Sequence, residues 1–286
     1  MAPVDPEFFN SNVRPVALFA SQALSVIALT TFVLRHLQRA DRSIPPSLDT
    51  RSRRASRRRN IKLFTTLAAL SFVIATYHAI SKRFVSYQIW AHEHNERIPT
   101  SIWDGWFAKD NHETTSNTLL GDYMKPHVER GLQLGRWLQN TDLSKQFDCF
   151  AIGISRGFWW TQAHFVGLIV WSVFLGIESR HRNVPNTVVA ALILLARLVG
   201  LSFAQNLFNI MLLLTPVSLP GSSASYSRQP SPLWTPFPAV YIIPALLSLV
   251  GLAFLPAMIG HASHNLLRAA YTLIPLFLAI GHQVCS

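Results

Sequence analysis

Residues 187–214 read TVVAALILLARLVGLSFAQNLFNIMLLL, an apolar stretch in which Arg197 is the one charged residue. About 20 mostly apolar residues are enough for a helix to cross the roughly 30 Å hydrocarbon core of a bilayer. Because lipid offers no hydrogen-bond partners, a spanning segment has to satisfy its own backbone as a helix. The stretch therefore predicts a transmembrane helix, and Pro185 just before it is a good helix-start residue.

Other apolar runs of similar length follow along the chain. The composition agrees, since half of the 286 residues are hydrophobic and only 14% are charged, against about 25% in a soluble domain. We expect an all-α fold, a polytopic transmembrane helix bundle forming a single membrane domain over residues 1–286. Its six predicted spans lie at about residues 16–34, 63–80, 158–177, 187–214, 239–259 and 266–281.

The net charge of +11 is distributed very unevenly. Ten of the 25 Lys and Arg lie in residues 35–62, between two predicted spans, where positive charge orients a membrane protein toward the cytosol. We therefore predict a basic cytosolic loop at residues 35–62, a lumenal or exterior segment at residues 81–156, and no nucleic-acid partner. The expected location is the endoplasmic reticulum membrane, as a multi-pass protein.

The long segment between spans two and three is rich in aromatic residues and holds nine of the 14 carboxylates. Its most distinctive string is Trp103-Asp104-Gly105-Trp106-Phe107, with Asp110 just beyond, and Trp159-Trp160 opens span three. One interpretation is an aromatic belt at the level of the lipid headgroups. The other is a cavity wall that stabilises a carbocation by cation–π contact, with a nearby carboxylic acid as the proton source.

Polar side chains inside predicted spans are the next candidates, because burying them in lipid is costly. Glu178 ends span three and Arg197 lies in span four, at a depth that would let them pair. Gln205, Asn206 and Asn209 follow on span four. These residues either form a structural ion pair and interhelical hydrogen bonds or contact a substrate.

The 11 histidines do not predict a metal site. The closest spacings are His92-x-His94 and His261-x-x-His264, two isolated pairs. Membrane di-iron enzymes need several dense histidine boxes, so we expect no metal here.

Four strings carry a resemblance to a known group of proteins: Trp103-Asp104-Gly105-Trp106, Phe158-Trp159-Trp160-Thr161-Gln162, Val173-Phe174-Leu175-Gly176-Ile177-Glu178 and Leu201-Ser202-Phe203-Ala204-Gln205-Asn206-Leu207-Phe208. Over residues 100–215 the chain resembles fungal multi-span membrane proteins of the ascofuranone-type meroterpenoid cyclase group. The resemblance implies a membrane-embedded terpene cyclase of secondary metabolism, an isomerase acting on a prenylated, often epoxidised, substrate. The clustered aspartates that bind magnesium in soluble terpene synthases are absent from the sequence, so we expect no cofactor.

The expected function is acid-initiated cyclisation of a lipophilic prenylated molecule that reaches the protein through the bilayer. The candidate catalytic acids are Asp104, Asp110 and Glu178. The candidate substrate-binding residues are Trp103, Trp106, Phe107, Trp159, Trp160, Arg197, Gln205, Asn206 and Asn209. A small-molecule transporter and a non-catalytic multi-span protein are the alternatives.

Overall fold

The computed structural model describes residues 13–43, 51–94, 98, 100, 155–215, 239–254, 269 and 272–280. Regular structure in these ranges is helical throughout, which confirms the all-α fold class. The helices are α1 (Val13–Arg42), α2 (Arg51–Glu93), α3 (Ser155–His181), α4 (Asn186–Leu198), α5 (Leu201–Leu214), α6 (Ala239–Phe254) and α7 (residues 272–280).

Three helical segments in the described part of the chain are long and apolar enough to cross a membrane. They are Ala20–Arg42, Arg54–Glu93 and Arg156–His181. The helices that carry these segments, α1, α2 and α3, contain the first three predicted spans, and each helix extends beyond the predicted bounds. As a result, much of the segment expected to be a basic loop at residues 35–62 is helical, since α1 runs to Arg42 and α2 begins at Arg51.

The fourth predicted span is divided into two shorter helices. α4 ends at Leu198 and α5 begins at Leu201, with Gly200 between them at φ +154° and ψ 152°. That conformation is essentially restricted to glycine. The sequence shows an uninterrupted apolar run here because Gly200 is apolar, and its backbone conformation cannot be read from hydropathy.

Contacts within the chain divide it into two compact units. One unit comprises Met1–Leu24 and Tyr77–Phe147, and the other Ser25–Thr76 and Asp148–Ser286. In the described part of the first unit, Arg83 Nη2 donates to Gln22 Oε1 at 2.9 Å. Trp90 stacks between Tyr87 and His94, with ring centroids 6.1 and 4.7 Å away.

The second unit has its hydrophobic core on α4 and α5. These two helices pack against each other, and α3 contacts both α4 and α6. Side chains from α1 and α2 join the same core through Val33, Leu37 and Ala68. Fully buried large residues such as Leu192, Phe208 and Met211 lie at its centre.

The outer surfaces of these helices are apolar as well. Val170 on α3 is 64% exposed and Leu247 on α6 is 60% exposed. A soluble protein rarely exposes many large apolar side chains on long helices, whereas lipid-facing helices do so by necessity. The exposed residues therefore agree with membrane association.

Candidate functional site

The second unit contains a cavity of about 1310 Å³ between α1, α2 and α5. Pockets for drug-sized ligands measure roughly 300–1,000 Å³, so this one has room for a larger, chain-bearing molecule. Most of its lining residues belong to one of two sets. Basic residues form the basic rim, and apolar residues form the apolar wall.

The basic rim comes from the last turn of α1 and the first turns of α2. Because only a short connection separates these helices, their basic ends lie at the same end of the cavity. Most of the rim side chains are exposed. The rim comprises Arg42, Arg54, Arg57, Arg58, Arg59 and Lys62.

The rim concentrates positive charge at one end of the cavity. Several of its members are three or four residues apart on α2, such as Arg54 and Arg58 or Arg58 and Lys62, and like charges at this spacing destabilise a helix. The first turn of α2 contains no acidic residue. Among the described residues that line the cavity, the one carboxylate is the exposed Asp41. This part of the lining thus carries six basic residues against one acidic residue and attracts anions.

The apolar wall continues from the rim along α1 and α2 and onto one face of α5. The ring of Phe203 forms part of it and packs against Phe72, with the centroids 5.3 Å apart at 52°. Most wall residues are buried, but Leu34 is 43% exposed. The wall comprises Leu34, Leu37, Ile61, Ala68, Ala69, Phe203, Leu207, Ile210 and Leu214.

Arg182 fixes the end of α5, the helix that carries four of these wall residues. Its Nη1 donates to the backbone oxygen of Leu212 at 2.9 Å and also to that of Thr215. Its Nε donates to Glu178 Oε2 at 3.1 Å. The last carbonyls of a helix have no partner within it and carry partial negative charge, so a guanidinium is well matched to them.

This arrangement corrects the predicted pairing of Glu178 with Arg197. The carboxylate of Glu178 binds Arg182, which lies four residues further along the chain, just past the end of α3. Residues at this spacing share a helix face, which makes the local partner easier to reach than one on the next helix. Arg197 is exposed, and its charge acts on His164 of α3.

The other predicted substrate-binding residues in the described ranges lie away from the cavity. Trp159 and Trp160 pack edge to face with centroids 5.4 Å apart, and they are 62% and 70% exposed. On α5, Asn206 Nδ2 donates to the backbone oxygen of Ser202 at 2.8 Å. Gln205 and Asn209 are also absent from the lining, which takes the opposite, apolar positions of α5.

Five predicted site residues lie outside the described residues. They are Trp103, Asp104, Trp106, Phe107 and Asp110.

Sequence reasoning placed neither the rim residues nor Arg182 in the candidate site. A signal existed for both. The arginine run directly precedes an apolar span, so continuing the helix backwards places its side chains beside apolar ones. Arg182 follows Glu178 at i+4, the spacing of a helical ion pair.

No protein-family model, curated protein or solved structure matches this chain.

Proposed function

We propose that the chain is a multi-pass protein of the endoplasmic reticulum membrane, with about six spans, that cyclises a prenyl chain by acid-initiated carbocation chemistry. The observation that carries the proposal is the cavity, which offers a mainly apolar wall with an aromatic ring in it. The three long apolar helices support delivery of a lipophilic substrate through the bilayer.

The wall suits a prenyl chain for a reason that differs from ordinary hydrophobic burial. A substrate dissolved in lipid gains little by moving into an apolar pocket, since lipid tails are as apolar as leucine. What the wall adds is a fixed shape that can hold the chain folded for ring closure. Phe203 adds a π-face, which stabilises a passing cation by about 0.5–2 kcal/mol where water is excluded.

The described residues reduce the number of candidate proton donors. Glu178 is engaged with Arg182, which gives it a structural role. Asp41 lines the cavity but is exposed among the basic rim residues. A carboxylic acid stays neutral in a dry, apolar environment, which Asp41 does not have. Asp104 and Asp110 therefore remain the proposed donors, with Trp103, Trp106 and Phe107 beside them in the sequence.

The experiment is conversion of substrate by microsomes that contain the folded protein. A panel of prenylated phenols, bearing either terminal epoxides or alkenes, is supplied, and products are sought as cyclised isomers of unchanged mass. Asp104→Asn and Asp110→Asn are assayed one at a time. If no member of the panel is converted, the cyclase proposal fails. If both variants still convert the substrate at the full rate, the protein is a cyclase but neither Asp104 nor Asp110 is the proton donor.

Phe203 provides a second test, aimed at the cavity. Phe203→Leu keeps the wall apolar but removes the π-face, so we expect cyclisation to slow about 2- to 30-fold, as a loss of 0.5–2 kcal/mol implies. Phe254→Leu is the matched control, because Phe254 is 61% exposed on α6 and does not line the cavity. Equal rates in the two variants, at equal amounts of folded protein, would show that the cavity does not take part in the reaction.

A further inference from the structure

A prenyl chain carries no charge, so its binding does not account for the positive charge of the basic rim. Six basic side chains line one part of a cavity whose other part is mainly apolar, with Thr30, Gln38 and Thr65 also in the lining. A ligand that satisfies both parts carries negative charge at one end and an apolar chain at the other. We propose that the cavity binds an anionic phospholipid, with its phosphate at the basic rim and an acyl chain along the apolar wall.

The charge argument rests on position as well as on number. Arg54, Arg58 and Lys62 follow one another at steps of four residues, so they form a row along one side of α2. Arg42, at the end of α1, lines the same cavity. A phosphate placed between the two helices is therefore within the field of cations from both, and it relieves the repulsion between the cations of the row.

The apolar wall decides between a free anion and a lipid. Lys62 of the rim and Ile61 of the wall are adjacent on α2, so charge and apolar surface are continuous. A free phosphate would use the rim and leave the wall empty. A phospholipid uses both, and anionic lipids are enriched in the cytoplasmic leaflet, which juxtamembrane basic residues face.

The exposed wall residue Leu34 indicates how a lipid would enter. It is 43% exposed although it lines the cavity. Leu34 lies within a segment of α1 that is long and apolar enough to lie in a bilayer. We therefore place the entrance to the cavity at this part of α1. A lipid could thus move in laterally without leaving the membrane.

The test measures binding by the purified full chain in a neutral detergent, so its outcome is independent of the cyclase proposal. Melting temperature is followed while phosphatidic acid, phosphatidylcholine with the same acyl chains, or inorganic phosphate is added. We expect phosphatidic acid to raise the melting temperature in a saturable manner, and the other two probes to have much smaller effects.

The variant pair Arg58→Gln/Arg59→Gln tests the rim. Removing two cations should weaken phosphatidic acid binding about 30-fold, since about 1 kcal/mol for each corresponds to about fivefold for each. The matched control is Arg35→Gln/Arg39→Gln, which removes the same charge from exposed positions of α1 that do not line the cavity. The control should bind phosphatidic acid nearly as the parent does.

A third variant tests the wall and does not depend on the folding of the rim variants. Leu34→Gln introduces a polar group at an exposed wall position, so it should weaken phosphatidic acid binding and leave any response to inorganic phosphate unchanged. An equal response to inorganic phosphate and phosphatidic acid would overturn the lipid proposal in favour of a free-anion site. So would an equal loss in the rim pair and its control, which would indicate diffuse attraction.

Discussion

Arg182→Met should destabilise the protein far more than its position near the end of a helix suggests. The substitution keeps an unbranched apolar side chain and removes three hydrogen bonds, to Glu178, Leu212 and Thr215. Bonds from a charged donor contribute about 1.5–3 kcal/mol each, and those to the two carbonyls hold the end of α5. The i,i+4 ion pair adds only about 0.3–0.5 kcal/mol. Since water can replace part of the lost bonding at these half-buried groups, we expect a net loss of about 3 kcal/mol.

The assay is thermal unfolding in detergent, followed by tryptophan fluorescence. For a chain of this size about 3 kcal/mol corresponds to a fall in melting temperature of roughly 6–12 °C. Arg156→Met is the matched control, since Arg156 is exposed at the other end of α3. Glu178→Gln should cost about 1 kcal/mol or less, because it leaves both carbonyl bonds intact. The reasoning is refuted if Arg182→Met falls within about 2 °C of the control, or if Glu178→Gln costs as much.

Three further outcomes are expected. Gly200→Ala should lower the free energy of unfolding by about 1–3 kcal/mol, because the backbone conformation of Gly200 is strained for any residue with a Cβ, although the space around it is open. Gly167→Ala is the control. Its Cβ would meet Leu201 at an ordinary 3.6 Å, so the melting temperature should stay unchanged or rise. In a background without native cysteines, a cysteine at position 56 should be labelled from the cytosolic side and one at position 115 should not; equal labelling would contradict the proposed orientation. If both proposed ligands use the apolar wall, cyclisation should slow as phosphatidic acid is added and recover with excess substrate, and a rate independent of the lipid would show that the two do not share it.

The helical character of the chain could be predicted from hydropathy, because a lipid-facing segment of this kind satisfies its backbone hydrogen bonds by forming a helix. The helix bounds could not be predicted, since hydropathy marks the end of the apolar run and a helix can continue beyond it. The first turns of α2 illustrate this, because Arg54, Arg57 and Arg58 are polar yet helical. Arginine has a good helix propensity, and nothing in that run breaks a helix.

The candidate site was harder to predict, for a related reason. Prediction looked for polar residues inside apolar spans and so selected Gln205 and Asn209, whereas the cavity takes the apolar positions of α5. A wall made of Phe203 and Leu207 has no distinctive sequence signal, because the same residues would be chosen for plain packing. Glu178 was predicted to pair with Arg197 because the two lie at a similar predicted depth, whereas its partner Arg182 lies only four residues away along the chain.

The basic residues of α1 and α2 can serve topology and binding at once, and the two roles make different demands. Orientation depends on the number of cations on one side, so it tolerates their rearrangement. Ligand binding depends on which cations line the cavity. Arg58→Gln/Arg59→Gln leaves eight of the ten basic residues of segment 35–62, enough to keep the same orientation, while it removes two of the six rim cations. A variant that keeps its orientation but no longer binds the lipid would therefore show that the positions of the cations matter as well as their number. A variant that loses both would show that the rim acts only as a topological signal.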